Sequence, residues 1–205
     1  IVANQGYRYS RLHQVSTSGG PEQRLTTSDR HVTSFDWSPN GKKVVYSGQN
    51  TPRNRDTFHV DLFELDLPTH RESTLVTQEG RDAEPSYSPD GRWIAFHSQA
   101  GTINYFEERH VGLVPSGGGE IRYPTRNLPA DVFRGGNEFW WTKDGSELIF
   151  GAGVGTQDHL FTVRLKDGTS SKLIESLAGP SSFSASANGQ QTAFLKSSPS
   201  VPPRL

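Results

Sequence analysis

The chain has 205 residues, a formal net charge of −1 and a pI near 6.7, a balance that excludes the basic footprint of a nucleic-acid or anionic-membrane binder. It contains no cysteine, which excludes disulfides, thiolate metal sites and a cysteine nucleophile. No apolar run approaches the roughly 18 residues of a transmembrane helix, and 32% hydrophobic residues with 21 Gly and 13 Pro suit short strands joined by many turns.

The opening residues lack the apolar core of a signal peptide, so a soluble chain is expected, its compartment left open. Methionine is absent, as in a processed product or a piece of a longer polypeptide. Residues 1–30 carry "SRLHQVSTSGG" and "PEQRLTTS", which read as two strands. Next comes "SFDWSPNGKKVVYSG" (34–48), an aromatic, a tight turn and an apolar strand.

That stretch recurs without a gap at 84–98, 138–152 and 182–196, aligned on Gly41, Gly91, Gly145 and Gly189, which lie 50, 54 and 44 residues apart. Such a spacing is close to the roughly 40–50 residues of a four-stranded propeller blade. Asn-Gly or Asp-Gly at the turn supplies positive φ for a hairpin, so the segments on either side pair antiparallel. After each turn the aromatics Tyr46, Phe96, Phe150 and Phe194 coincide, on strands apolar enough to be buried between neighbouring blades. A third strand starts near His59, His110 and His159, and a shorter, more polar fourth follows, as in "ESTLVTQEG" and "SSKLIES".

The reading is an all-β propeller of four-stranded antiparallel blades, about four in number: a half blade at 1–30, blades at 31–80, 81–130 and 131–178, and a half blade at 179–205. The first half supplies third and fourth strands and the last supplies first and second. Paired, they close a four-bladed ring; unpaired, they are the open edges of a segment of a larger one.

The Ser-Pro-Asp-Gly type of turn, with the "GG" and "LT" of "STSGGPEQRLTT", resembles the propeller repeats of TolB and of the prolyl oligopeptidase family. The C-terminal "TAFLKSSPSVPPRL" is similar to the final-blade segment of the acylaminoacyl-peptidase branch, matching at Ser197, Ser198, Pro199, Pro202, Pro203 and Leu205, with Arg204 where that family usually has Glu. The resemblance implies a non-catalytic domain that gates an α/β-hydrolase domain and selects its peptide substrates. The family's catalytic serine lies in a Gly-x-Ser-x-Gly elbow. This sequence has none; its nearest approach, "GPSSF" at 179–183, lacks the second glycine. A TolB-like module binding a protein partner, or the propeller of another hydrolase such as an amidohydrolase, is the alternative.

Few residues stand out for chemistry. Glu107 and Glu108, followed by Arg109 and His110, resemble the propeller-borne Glu pair with which dipeptidyl peptidases hold a substrate ammonium, and a carboxylate pair suits a cation; the match is the two glutamates alone, and charged residues at a strand start, solvated or paired with Arg109, are the leading reading. Trp140 aligns with Asp36, Ser86 and Ser184 and alternates away from Phe139 and Trp141, so a substrate-facing or domain-facing role is open to it beside core packing. His110 and His159 occupy equivalent third-strand positions, but Arg11 and Asp61 stand there in the earlier units, so no metal ring is expected. No cofactor motif is present: "GAGVGTQ" (151–157) fails the Gly-x-Gly-x-x-Gly pattern and reads as a flexible loop. The insertion "NTPRNRDT" (50–57), with two arginines, reads as a rim loop, solvated or contacting a partner.

Overall fold

The computed structural model describes residues 7–103, 108–132, 139–174, 180–186 and 191–196. It divides into two compact units, one of residues 1–107 and 112–122, the other of 108–111 and 123–205.

In the first unit β1 (His13–Gln14) and β2 (Gln23–Arg24) form a hairpin. There follow β3 (His31–Trp37), β4 (Lys43–Gln49), β5 (His59–Asp66) and β6 (Arg71–Val76), each antiparallel to the next. The next blade is β7 (Gly80–Tyr87), β8 (Trp93–Ser98) and β9 (His110–Pro115) in that order. Its fourth strand is reduced to one bridge, Leu113 to Arg122. A short parallel pairing of His59–Val60 with Gly80–Arg81 joins the two blades at one end. The second unit holds β10 (Phe139–Trp141), β11 (Glu147–Val154), β12 (Gln157–Arg164) and β13 (Ser170–Ile174) as one antiparallel sheet, and β14 (Pro180–Ala185) with β15 (Thr192–Lys196) as a hairpin. This is a β-propeller fold of four-stranded antiparallel blades. Among the described residues no helix is long and apolar enough to cross a membrane.

The repeated turn shows why each of its residues is used. Gly41, Gly91 and Gly145 have φ of 66°, 69° and 69°, and each donates its N–H back to the carbonyl of Ser38, Ser88 or Thr142 at 2.8 Å. Only the glycine takes positive φ; Asn40, Asp90 and Asp144 do not. The turn is therefore type I closed by a left-handed glycine, and not the two-residue Asn-Gly hairpin expected from sequence. The hydroxyl of Ser38, Ser88 or Thr142 accepts the N–H of Lys43, Trp93 or Glu147 at 2.8–3.0 Å. It also donates to the Asn40, Asp90 or Asp144 side chain, whose oxygen accepts the N–H two residues on.

Irregularities repeat as faithfully as the ladders. The first strands β3, β7 and β14 each carry one extra residue, at 32–34, 83–86 and 181–183. The third-to-fourth pairings shift at Leu62/Phe63 and at Leu160/Phe161. Bulges increase strand twist, so β3, β7 and β14 each turn more sharply near the same point of the repeat. Glu84 lies within the β7 bulge at φ 52°.

The core follows the expected column of second-strand aromatics: Tyr46, Phe96 and Phe150 are fully buried and Phe194 is half-buried. Across the ladder Tyr46 meets Phe63 at 5.3 Å and Phe150 stacks on Phe161 at 5.9 Å between centroids. Two loops read from sequence have more order than expected. Residues 151–154 belong to β11 and 157 begins β12, so "GAGVGTQ" is a hairpin turning on Gly155 at φ 58°. In "NTPRNRDT" a 3-10 turn spans Asn54–Phe58, Thr51 hydrogen-bonds Asp56, and Arg53 lies over the Tyr7 ring at 5.1 Å.

Candidate functional site

Polar groups collect where the parallel β5–β7 pairing joins the two blades of the first unit. Gly80 has φ 96°, and a Cβ there would stand 2.3 Å from the Thr102 carbonyl oxygen, so β7 can begin against that segment only with glycine. Two residues on, Asp82 is fully buried. One of its oxygens accepts the Ser98 hydroxyl at 2.5 Å and the Gln78 amide at 3.0 Å; the other meets no hydrogen-bond partner among the described residues. Burial above all pushes its pKa up to about 7, the hydrogen bonds opposing and the nearby Asp61 carboxylate reinforcing the shift. Asp61 is itself raised, chiefly by burial. A carboxyl poised near neutrality at the end of a sheet where loops converge can exchange a proton or meet a cation.

The sign of the linkage is testable. Because the folded state holds the Asp82 proton more tightly than the unfolded chain, stability is greatest below about pH 4 for this group and declines as pH rises to about 7. Asp82→Asn is expected to abolish that decline and to be more stable than the wild type by about 2 kcal/mol at pH 8, measured by urea unfolding at several pH values. Equal pH profiles would show that Asp82 is ionised and solvated.

Two further carboxylates tie blade to blade. Asp36 accepts the Tyr87 N–H at 2.8 Å, beside Ser34 Oγ accepting the Glu84 N–H at 3.0 Å. Glu64, 3% exposed, accepts from Lys43 Nζ at 2.7 Å, Tyr87 OH at 2.7 Å and Ser116 Oγ at 2.8 Å. Burial pushes its pKa up, but those three donors outweigh it and the net shift is downward. Sequence reading gave none of these acids a role: Asp36 and Asp61 entered only as alignment counterparts, and Glu64 and Asp82 were passed over. The available signal was a charge inside an apolar strand, Glu64 between Phe63 and Leu65, and Asp82 before Ala83.

Glu107, the last residue of the first unit's longer segment, lies outside the described residues. Glu108 is exposed and Arg109 half-buried. The Arg109 backbone is fastened on both sides, its N–H to Asp131 Oδ1 at 3.2 Å and its carbonyl to the Val132 N–H at 3.1 Å. Trp140 is half-buried beside Ile149, Leu160 and Phe183, its ring edge-on to Phe183 at 6.4 Å and its indole N–H without a partner among the described residues. It stands in the column of Asp36, so a first-strand residue reaches the next first strand in both units, by a carboxylate in one and by a ring in the other. Trp141 is half-buried and Phe139 buried. His159 is buried, edge-on to Phe161, and register places it at the position of Asp61. Among the described residues no three His, Cys, Asp or Glu side chains are grouped to hold a metal ion. The segment 197–205, which carried the closer family likeness, also lies outside the described residues.

No family model matches the chain. In sequence, 83 residues are 41% identical to an uncharacterized protein of Agrobacterium fabrum, covering 40% of this chain and 26% of that protein. The Tol-Pal system protein TolB of Francisella tularensis is 28% identical over 98 residues, 46% of this chain and 21% of TolB. An uncharacterized peptidase of Bacillus subtilis is 23% identical over 124 residues, 60% of this chain and 18% of the peptidase. The chain thus spans about a quarter or less of the curated relatives it matches. In structure, TolB of Acinetobacter baumannii superposes with a TM-score of 0.66 at 20% identity, over 90% of this chain and 42% of that one. An oligogalacturonate lyase bound to manganese gives 0.69 at 16%, over 92% and 54%. A puromycin-hydrolyzing peptidase of Mycobacterium tuberculosis gives 0.67 at 15%, over 90% and 31%. The fold is that of a TolB-like propeller, and the lyase and the peptidase share it over nine-tenths of this chain.

Proposed function

We propose that the chain is the propeller of a prolyl-oligopeptidase-family serine peptidase, a gate and substrate selector whose catalytic residues lie outside these 205. One observation carries this reading: nine-tenths of the chain superposes on under a third of a peptidase, as a propeller domain beside a separate catalytic domain would. The partial sequence match to a second peptidase supports it, and so does the lack of a Gly-x-Ser-x-Gly elbow here. On this reading the partner is an α/β-hydrolase domain, the substrate a peptide, and Glu107, Glu108, Arg109 and Trp140 are the residues offered to it.

The test is made on the protein purified from its source. A fluorophosphonate probe is expected to label one serine, outside this segment, on a polypeptide several times 22.6 kDa. Short peptides and not folded proteins should be cleaved, and Glu108→Gln or Trp140→Ala should raise KM with kcat little changed, as for groups that contact substrate equally in ground and transition states. No labelling would overturn the peptidase reading in favour of a protein-binding module, which the higher identity to TolB makes the second reading.

A further inference from the structure

Among the described repeats of the turn, two carry Asp-Gly, at Asp90–Gly91 and Asp144–Gly145, and the first carries Asn-Gly, at Asn40–Gly41. The Asn-Gly at 188–189 lies outside the described residues. The Asn40 side chain makes the bonds that the two acids make. Its Oδ1 accepts the Ser38 hydroxyl at 2.9 Å and the Lys42 N–H at 3.0 Å. Asp90 accepts the Ser88 hydroxyl and the Arg92 N–H in the same way, and Asp144 the Thr142 hydroxyl and the Ser146 N–H. Both donors are thus spent on the oxygen of Asn40, and its Nδ2 makes no hydrogen bond among the described residues.

A carboxylate accepts such bonds more strongly than an amide. The turn accordingly holds Asp90 down at about 2, through the Ser88 hydroxyl first and the Arg92 N–H next. Asp144 is also lowered, chiefly by the Ser146 N–H. An acid at position 40 would therefore suit the turn better than the amide that stands there. Asn-Gly is in addition the pair from which a side-chain amide is most readily lost, because the glycine nitrogen has no neighbouring Cβ to hinder its attack. Asn40 and Gly41 are exposed, and a Cβ on Gly41 would meet nothing within 4 Å, so neither ring closure nor water is obstructed. The restraint is the turn itself: the Gly41 N–H is given to the Ser38 carbonyl at 2.8 Å, and attack requires a local opening.

We infer that Asn40 is a self-modifying site, converted by water without an enzyme to aspartate, so that the first turn acquires the Asp-Gly chemistry of the next two. In the opened turn the Gly41 nitrogen gives up its proton and bonds to Asn40 Cγ. The Cγ–Nδ2 bond breaks, Nδ2 takes up a proton and leaves as ammonia, and a five-membered succinimide remains. Water then adds to one of the two ring carbonyls. Addition at Cγ releases the Gly41 nitrogen to the ordinary backbone and leaves aspartate, whereas addition at the backbone carbonyl leaves isoaspartate, with the chain running through the side chain. The Ser38 hydroxyl and the Lys42 N–H are placed to stabilise charge developing on the Cγ oxygen, which favours aspartate. The product lasts, because a carboxylate held ionised is a poor electrophile for renewed closure. The inference rests on the turn and is independent of the peptidase reading.

The test holds the full chain at physiological pH and temperature in heavy-oxygen water, then maps the tryptic peptide 31–42 against synthetic asparagine, aspartate and isoaspartate standards. The peptide is expected to gain one heavy oxygen and to elute with the aspartate standard, aspartate exceeding isoaspartate several-fold, while a free peptide of residues 34–48 gives mostly isoaspartate. Ser38→Ala, lacking one of the two donors, should convert faster and shift the product towards isoaspartate. Asn40→Asp should unfold at a higher urea midpoint than the wild type at neutral pH, and lose that advantage as pH falls through the lowered carboxylate value. Where Ser38→Ala does not fold, the wild-type product ratio and the Asn40→Asp midpoint decide. An Asn40 that stays intact in the folded chain while the free peptide is fully converted would overturn the proposal, as would isoaspartate as its main product or an Asn40→Asp midpoint no higher than that of the wild type.

Discussion

Glu64→Ala is expected to lower the free energy of unfolding at pH 7 by about 3 kcal/mol, read as a lower urea midpoint at unchanged slope. The carboxylate is buried and receives three donors from separate parts of the first unit: Lys43 on β4, Tyr87 at the end of β7 and Ser116 after β9. Removing the acceptor leaves the buried Tyr87 hydroxyl with Ser116 as its one remaining side-chain partner among the described residues, while the Lys43 side chain, 32% exposed, recovers part of its hydration. Glu64→Gln keeps an acceptor oxygen and loses only the ion pair, so about 1 kcal/mol is expected. The pH dependence separates charge from packing. The folded pKa lies below the ordinary 4.5, so the stabilisation is complete above that value and is lost as pH falls through the lower, folded one. Wild type and Glu64→Gln should draw together as pH falls through that lowered value, whereas Glu64→Ala stays weaker. A gap between wild type and Gln that stays constant through the whole acid range in which the protein remains folded would mean that the ion pair contributes nothing.

This acid and Asp82 mark the boundary of what the sequence discloses. The unit, its turn and its apolar second strand were legible because each depends on residues close in the chain: a glycine at φ near 66–69°, a hydroxyl two residues before an Asn or Asp, alternation along one strand. What joins one blade to the next depends on residues 50 apart, such as Ser34 with Glu84 or Asp36 with Tyr87 at a separation of 51, and no local pattern marks those. Trp140 shows the same limit. Alternation set it apart from Phe139 and Trp141, but the ring it meets, Phe183, is a full repeat away. The loop at 151–157 was misread because glycines that suggest freedom in isolation are here strand residues facing a packed partner, Gly151 opposite Leu160 and Gly153 opposite Asp158.

Gly112 is the position where a single methyl group should be felt most sharply. Its backbone needs no glycine conformation, since its φ is not in the left-handed region. The constraint is steric: a Cβ would stand 2.4, 2.5 and 2.8 Å from three atoms of the Phe96 ring, which is fully buried and packed with Val45, Ile94 and Val114. In the neighbouring blades the second-strand ring is met by a third-strand ring, Phe63 against Tyr46 and Phe161 against Phe150. In this blade Phe96 occupies the space of both, and the glycine is the vacancy it fills. Gly112→Val is expected to cost about 3 kcal/mol or more, because a closed core can relieve the overlap only by off-rotamer rings or a shifted strand. Phe96→Ala alone should cost about 3–5 kcal/mol through the cavity it leaves. Combined, the two substitutions should cost less than their sum by about 2 kcal/mol, the mark of residues sharing one volume. A strictly additive double mutant in urea unfolding would show that Phe96 does not sit over Gly112, and with it would fall the explanation of why this blade lacks the ring pair seen in the two others.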